Sequence, residues 1–253
     1  MKVIVTPDRA AMGEWVAKHA AAELREAIEA RGAARLVIAT GSSQFEVLES
    51  LAHRDDVDWS VVTGFHLDEY IGISPDHPAS FCRYLRERFV SKLPLCAFHY
   101  LDGRGEVIDT IRRIGGLLTA APIDVALVGI GENGHLAFND PPADFVSEDP
   151  YLIVELDEQC RAQQVGEGWF PDLNAVPRQA ISMSIRQIMK THKIFCSVPD
   201  RRKAAAVRAT LEDPISPHIP ASILRQHRDV TIIIDREAAT ELSETTLSSV
   251  EEL

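Results

Sequence analysis

The sequence predicts an α/β fold: a mostly parallel sheet with helices on both faces. Three observations carry this expectation. Short apolar, β-branched runs alternate with longer stretches of helical periodicity, the rhythm of parallel strands joined by crossover helices. No repeat or low-complexity linker interrupts that rhythm. The 253 residues suffice for one large core, so a single domain is expected over 1–253.

The elements follow in order. Val3–Val5 opens the chain as a short strand, and Pro7 to about Arg31 is Ala-rich with helical spacing. Leu36–Ala39 is a strand closed by Thr40-Gly41-Ser42-Ser43, and Phe45–Leu51 is a helix. Val61–His66 is a strand, and Pro78–Lys92 is a helix with Pro near its start. Val107–Leu118 is helical and Ile123–Val128 is a buried strand. Tyr151–Val154, Ile181–Ile185 and Ile194–Val198 are further strands, the last two flanking a short helix at Arg186–Lys190. Ala204–Leu211 is a helix, Val230–Ile234 a buried strand and Arg236–Leu242 a closing helix. Pro141–Pro150 and Gln164–Pro177 read as loops or lids, and the polar tail of about 243–253 as a flexible end.

Composition excludes several classes. The net charge of −12, with no Lys/Arg block, argues against nucleic acid and anionic membranes as partners. Four cysteines without CxxC or metal spacing read as free thiols of a reducing, cytoplasmic setting. No stretch approaches a membrane span, and MKVIVTPDRAAM resembles no signal peptide. No metal and no cofactor are expected. A homo-oligomer is compatible with the sequence.

Ligands of open parallel sheets bind beyond the carboxyl ends of the strands, and three chemically loaded segments occur there. Thr40–Ser43 is a small-residue turn whose N–H groups and hydroxyls suit an anion; an ordinary helix N-cap would use the same residues. His66-Leu67-Asp68-Glu69-Tyr70 sets two acids side by side, and strand alternation sends them to different sides. One can face a pocket while the other anchors the loop. Gly129-Ile130-Gly131-Glu132-Asn133-Gly134 matches G-x-G-x-x-G, but Pro141-Pro142 follow too closely for the long helix of a dinucleotide site. What remains is a polar cluster of Glu132, Asn133, His135, Asn139 and Asp140, in which a carboxylate beside His135 favours proton transfer. Arg201-Arg202-Lys203 is the best local basic cluster and a candidate phosphate site.

Five colinear segments are similar to the glucosamine-6-phosphate deaminase/isomerase family: ATGSS at 39–43, FHLDEYIGI at 65–73 with HPASF at 77–81, GIGENGHLAFNDP at 129–141, VPRQAISMSI at 176–185 and RRKAAAV at 201–207. The resemblance implies a three-layer, Rossmann-like sheet of the type shared with ribose-5-phosphate isomerase and CoA transferases. It implies cofactor-free conversion of D-glucosamine 6-phosphate and water to fructose 6-phosphate and ammonia. Carried over by position, Asp68 is the proton-transfer base and His135 the ring-opening histidine. Asn133 and Asp140 complete its triad, where the family more often has an acid and a Glu. Thr40, Gly41, Ser42, Ser43, Gly131 and Lys203 fall on substrate- and phosphate-binding positions. Arg161 is the candidate for the family's substrate-binding arginine, although Cys160–Phe170 aligns loosely. The family's allosteric residues find no match, so activation by N-acetylglucosamine 6-phosphate is not expected. The departures bear on substrate identity, leaving galactosamine 6-phosphate as an alternative. A related 6-phosphogluconolactonase and a non-catalytic sugar-phosphate sensor are the rival classes; LDEY disfavours the first, and retention of both Asp68 and His135 disfavours the second.

Overall fold

The computed structural model describes residues 1–253. Strands β1 (Lys2–Thr6), helix α1 (Arg9–Arg31), β2 (Ala34–Ile38), α2 (Phe45–Ala52), β3 (Val62–His66), β4 (Asp68–Tyr70), α3 (Phe81–Arg88), β5 (Ala97–His99), α4 (Val107–Thr119) and β6 (Val125–Val128) form the first half. β7 (Tyr151–Glu155), α5 (Glu158–Gly166), β8 (Gln179–Met183), α6 (Ile185–Ile188), β9 (Lys193–Val198), α7 (Ala204–Glu212), β10 (Val230–Asp235), α8 (Glu244–Leu247) and β11 (Glu251–Glu252) form the second.

Eight strands make one sheet in the order β11-β1-β10-β9-β6-β2-β3-β5, with every pairing parallel. Strand alternation divides the core into two layers. Leu36 and Ile38 of β2, Val125 and Leu127 of β6 and Ile233 of β10 pack with α1 and α2 on one face. Val37, Ala126, Val128, Ile232 and Ile234 point the other way, onto α4, α6 and α7. Runs such as VTIIID, buried at every position, are the mark of a strand covered on both sides. The helices-on-both-faces architecture expected from the sequence is therefore the observed one.

A smaller antiparallel sheet, β4-β8-β7, lies beyond the end of β3. Met183 N donates to the Leu67 carbonyl at 2.9 Å and joins the two sheets where β3 turns into β4. Tyr70, Phe81, Phe138 and Phe170 form an aromatic cluster there.

Several elements differ from expectation for local reasons. The Ser184 side chain accepts from Gln187 N and caps α6, so β8 ends two residues earlier than its apolar run suggested. Ser80 caps α3 after Pro78, and the helix continues only as a 3-10 turn at Val90–Lys92. Arg236–Leu242 is not a helix: residues 236–241 are turns, held by Ala238 N donating to Asp235 Oδ1 at 2.8 Å. Residues 158–166, partly assigned to a loop, form α5, started by Asp157 accepting from Cys160 N. The polar tail, expected as a flexible end, carries α8 and then β11, which pairs with β1 through Ile4 and Val5 and becomes the edge of the sheet.

Candidate active site

Because β9, β6, β2 and β3 are parallel neighbours, the segments leaving their carboxyl ends meet along one edge. Those segments are Arg201–Lys203, Gly129–Asp140, Thr40–Ser43 and Leu67–Tyr70 respectively, so the three loaded loops converge as expected and the basic turn joins them. Between them lies an open cavity lined by Thr40, Gly41, Ser42, Ser43, Asp68, Gly131, His135 and Lys203, with Gln163, Gln164 and Glu167 contributed by α5 and its exit.

Asp68 and Glu69 take different sides of β4. The Glu69 carboxylate points to the start of α3 and accepts from Tyr70 N (2.9 Å), Ser80 Oγ (2.8 Å), Phe81 N (3.2 Å) and Cys82 N (2.8 Å). It anchors the loop against the helix N-terminus, where negative charge is favoured. Asp68 faces the cavity and is 6% exposed, and its Oδ1 has no hydrogen-bond partner. Burial, with the Glu69 carboxylate adjacent, pushes its pKa up to about 8. A carboxylate so placed is a proton acceptor poised near neutral pH.

The loop after β6 is a compact turn. Gly134 N donates to the Gly131 carbonyl and Gly131 N to the His135 carbonyl, both at 3.0 Å. Gly134 has φ +82°, a left-handed conformation natural to glycine. Gly131 is needed for a different reason: a Cβ there would lie 2.2 Å from the His135 ring. The imidazole thus packs flat on a bare backbone. After Gly134 the chain makes only the small Leu136–Asn139 bridge, not a long helix, so the dinucleotide geometry does not arise.

His135 is held from behind. Its Nδ1 lies 3.1 Å from Asp140 Oδ1, within ion-pair range. Asn133 Oδ1 accepts from His135 N at 3.0 Å, while its Nδ2 donates to Asp140 Oδ1 (3.0 Å) and Asp157 Oδ2 (3.1 Å). Asp157 N in turn donates to Asp140 Oδ2 at 3.0 Å. Burial would raise the Asp140 carboxyl, but His135, Asn133 and the Asp157 N–H outweigh it and hold the group below its usual range. Asp140 is thus an anion ready to stabilise a protonated imidazole. Asn139 is structural: its amide donates to the Leu136 (2.7 Å) and Met183 (2.9 Å) carbonyls and ties the loop to β8.

The other end of the cavity suits an anion. Gly41, at φ +96°, turns the chain into the 3-10 segment Ser42–Gln44 that leads into α2. The N–H groups of Ser42 and Ser43 make no backbone hydrogen bond. Arg9 donates to the Ser42 carbonyl and so holds the turn from outside. Of the basic cluster only Lys203 lines the cavity, and burial lowers its pKa against the raising fields of Glu167 and Glu132. Arg202 is instead paired with Asp200 (2.9 Å) and Glu132 (3.6 Å).

One candidate is not brought to the cavity. Arg161 of α5 is outside the lining, and its guanidinium donates to the Leu173 carbonyl. The helical turn that brings Gln163, Gln164 and Glu167 inward turns Arg161 away. Those three residues, and Asp157, were missed by sequence reasoning. The N-cap pattern of an Asp three residues before Cys160 was the available signal for α5.

Two buried groups have metal-ligating residue types: His66, Glu69 and Cys82, and His135, Asp140 and Cys160. In the first, both Glu69 oxygens are already taken by four donors. In the second, burial drives the Cys160 thiol well above its usual range, away from the thiolate a metal needs.

The family model described as glucosamine-6-phosphate isomerases/6-phosphogluconolactonase matches residues 7–233. A glucosamine-6-phosphate deaminase of Lactobacillus johnsonii is 35% identical over 243 residues, covering 96% of this chain and 98% of the relative. A solved monomeric glucosamine-6-phosphate deaminase of the NagB superfamily superposes with TM-score 0.87 at 32% identity, over 95% of this chain and all of that one. A 6-phosphogluconolactonase from Shewanella baltica shares the fold, with TM-score 0.74 at 21% identity over 93% of this chain and 97% of that one.

Proposed function

The chain belongs to the glucosamine-6-phosphate isomerase/6-phosphogluconolactonase family, and from that premise we infer that it is a glucosamine-6-phosphate deaminase. It converts D-glucosamine 6-phosphate and water to fructose 6-phosphate and ammonia; relatives across most of its length are named glucosamine-6-phosphate deaminase. One observation supports the chemistry above all: an unpartnered Asp68 carboxylate oxygen and a carboxylate-backed His135 share one cavity.

We propose these roles. His135 donates a proton to the ring oxygen as the sugar opens, and Asp140 stabilises the imidazolium formed when it is recharged. Asn133 and Asp157 hold Asp140 in place. Asp68 takes the proton from C2 and returns it to C1, which leaves an imine at C2. Water adds to that carbon, ammonia leaves, and the ketose remains. Lys203, the Thr40–Ser43 turn and the Gly131 backbone hold the phosphoryl end. No step requires a cofactor. Asn133 in place of an acid costs the triad no charge at Asp140, because its amide donates where an acid could not.

The site draws on segments from Thr40 to Lys203, which supports treating 1–253 as one sugar-phosphate domain. A solved relative at 32% identity is described as monomeric, so we propose that a monomer suffices. No helix is long and apolar enough to cross a membrane, and metabolic relatives favour the cytoplasm as the place of work.

The test is ammonia release with ketose formation across hexosamine 6-phosphates. Glucosamine 6-phosphate is expected to be the best substrate, ahead of galactosamine 6-phosphate. Hydrolysis of 6-phosphogluconolactone with no ammonia from any amino sugar would overturn the assignment.

A further inference from the structure

The anion end of the cavity contains a carboxylate that the deaminase reading leaves without a role. Glu167 lines the same cavity as Lys203. Its oxygens accept from Gln163 Nε2 at 2.8 Å and Trp169 Nε1 at 3.2 Å. Both donors are themselves fixed: Gln163 Oε1 accepts from Glu132 N at 2.9 Å, and the Trp169 ring packs edge-on against Phe45 and Tyr84. The carboxylate is therefore pinned by neutral groups. The ion pairs of this corner belong to Arg202, with Asp200 and Glu132; Glu167 and Lys203 form none.

Glu167 belongs to the Lys203 end: Gln163, which donates to it, also accepts from Glu132 N, and the Glu132 carboxylate pairs with Arg202, the neighbour of Lys203. The field of Glu167 is the strongest of the charges acting on Lys203, ahead of Glu132, Arg202 and Asp200, whereas Asp68 feels Glu69. The other titratable groups within its influence are Arg202 on the same turn, Tyr70 on β4 and Tyr84 on α3. A phosphoryl dianion at this end would meet one buried lysine and one fixed carboxylate. A monoanion carries a P–OH that can donate to that carboxylate, while its remaining oxygens face Lys203 and the Ser42–Ser43 N–H groups.

We propose that Glu167 determines specificity by accepting a hydrogen bond from the protonated phosphoryl oxygen, so that the site takes the phosphate monoanion and rejects the dianion. This rests on the reading that a phosphoryl group sits at Lys203. The second phosphoryl pKa is about 6, so above that pH binding weakens as the monoanion disappears.

Sulfate is the discriminating probe, because it is a dianion with no proton to give. Inorganic phosphate and sulfate are titrated into the full chain at pH 6, with tryptophan fluorescence as readout. Wild type is expected to prefer phosphate at least tenfold, Glu167→Asp to keep a preference, and Glu167→Gln to bind both within about twofold. In kinetics, Glu167→Gln lowers KM for the hexosamine phosphate at pH 8 severalfold. A residue acting only on structure would weaken both anions equally, and that result overturns the proposal. So does a wild type that binds sulfate as well as phosphate, a comparison that needs no variant to fold. Absence of ammonia release from every amino sugar would defeat the deaminase reading, yet the anion comparison would still decide the role of Glu167.

Discussion

The two faces of β4 treat neighbouring carboxylates in contrary ways. On the α3 face, Glu69 is buried but accepts four hydrogen bonds. On the cavity face, Asp68 is equally buried and keeps an oxygen with no partner. Burial raises the pKa of both, but only Glu69 has donors that oppose the shift. The difference separates a group that stabilises the fold from one held at the fold's expense. An unsatisfied buried acid is costly, and its persistence in a cavity is what marks a reactive group.

Exchanging the chemistry of each face tests the contrast. The largest effect belongs to Asp68→Asn, which removes the base: kcat is expected to fall about a thousandfold or more, measured as ammonia release, while substrate binding is retained. Relative to wild type, the same variant should become more stable as pH rises, because the wild type loses stability. The Asp68 pKa is about 8 in the fold and about 3.9 in the unfolded chain, so the native state binds the extra proton. Its stabilising contribution is complete below about pH 4 and is lost as pH climbs towards 8. The Tm advantage of Asp68→Asn should therefore be larger at pH 8 than at pH 5; the reverse trend would show a compensated carboxylate. Glu69→Gln should give a smaller effect on the opposite axis. Losing the anion that serves four donors is expected to cost about 3 kcal/mol in a denaturant titration, with activity lowered far less than by Asp68→Asn.

The sequence revealed the large sheet and the convergence of its loops because both rest on local signals. Buried parallel strands read as continuous apolar runs, and glycine or small-residue turns mark their carboxyl ends. The split between Asp68 and Glu69 followed from alternation alone. The smaller sheet was less visible: β4 is the charged triplet Asp68–Tyr70, whose strand character comes from pairing with β8. The wall formed by α5 was hidden because Gly166 and Gly168 break its periodicity, so the outward-facing Arg161 drew attention away from Glu167. Asp157 reaches Asn133 from 24 residues away, a contact that tertiary folding creates and no local pattern announces.

The central claim is that Asp68 is held as an uncompensated base. Its side-chain carboxyl carbon, identified by its loss in Asp68→Asn, can be titrated by NMR in the substrate-free chain. The account predicts a midpoint near 8 that moves down in Glu69→Gln, where the adjacent charge is gone. A midpoint near 4, unchanged in that variant, would contradict it.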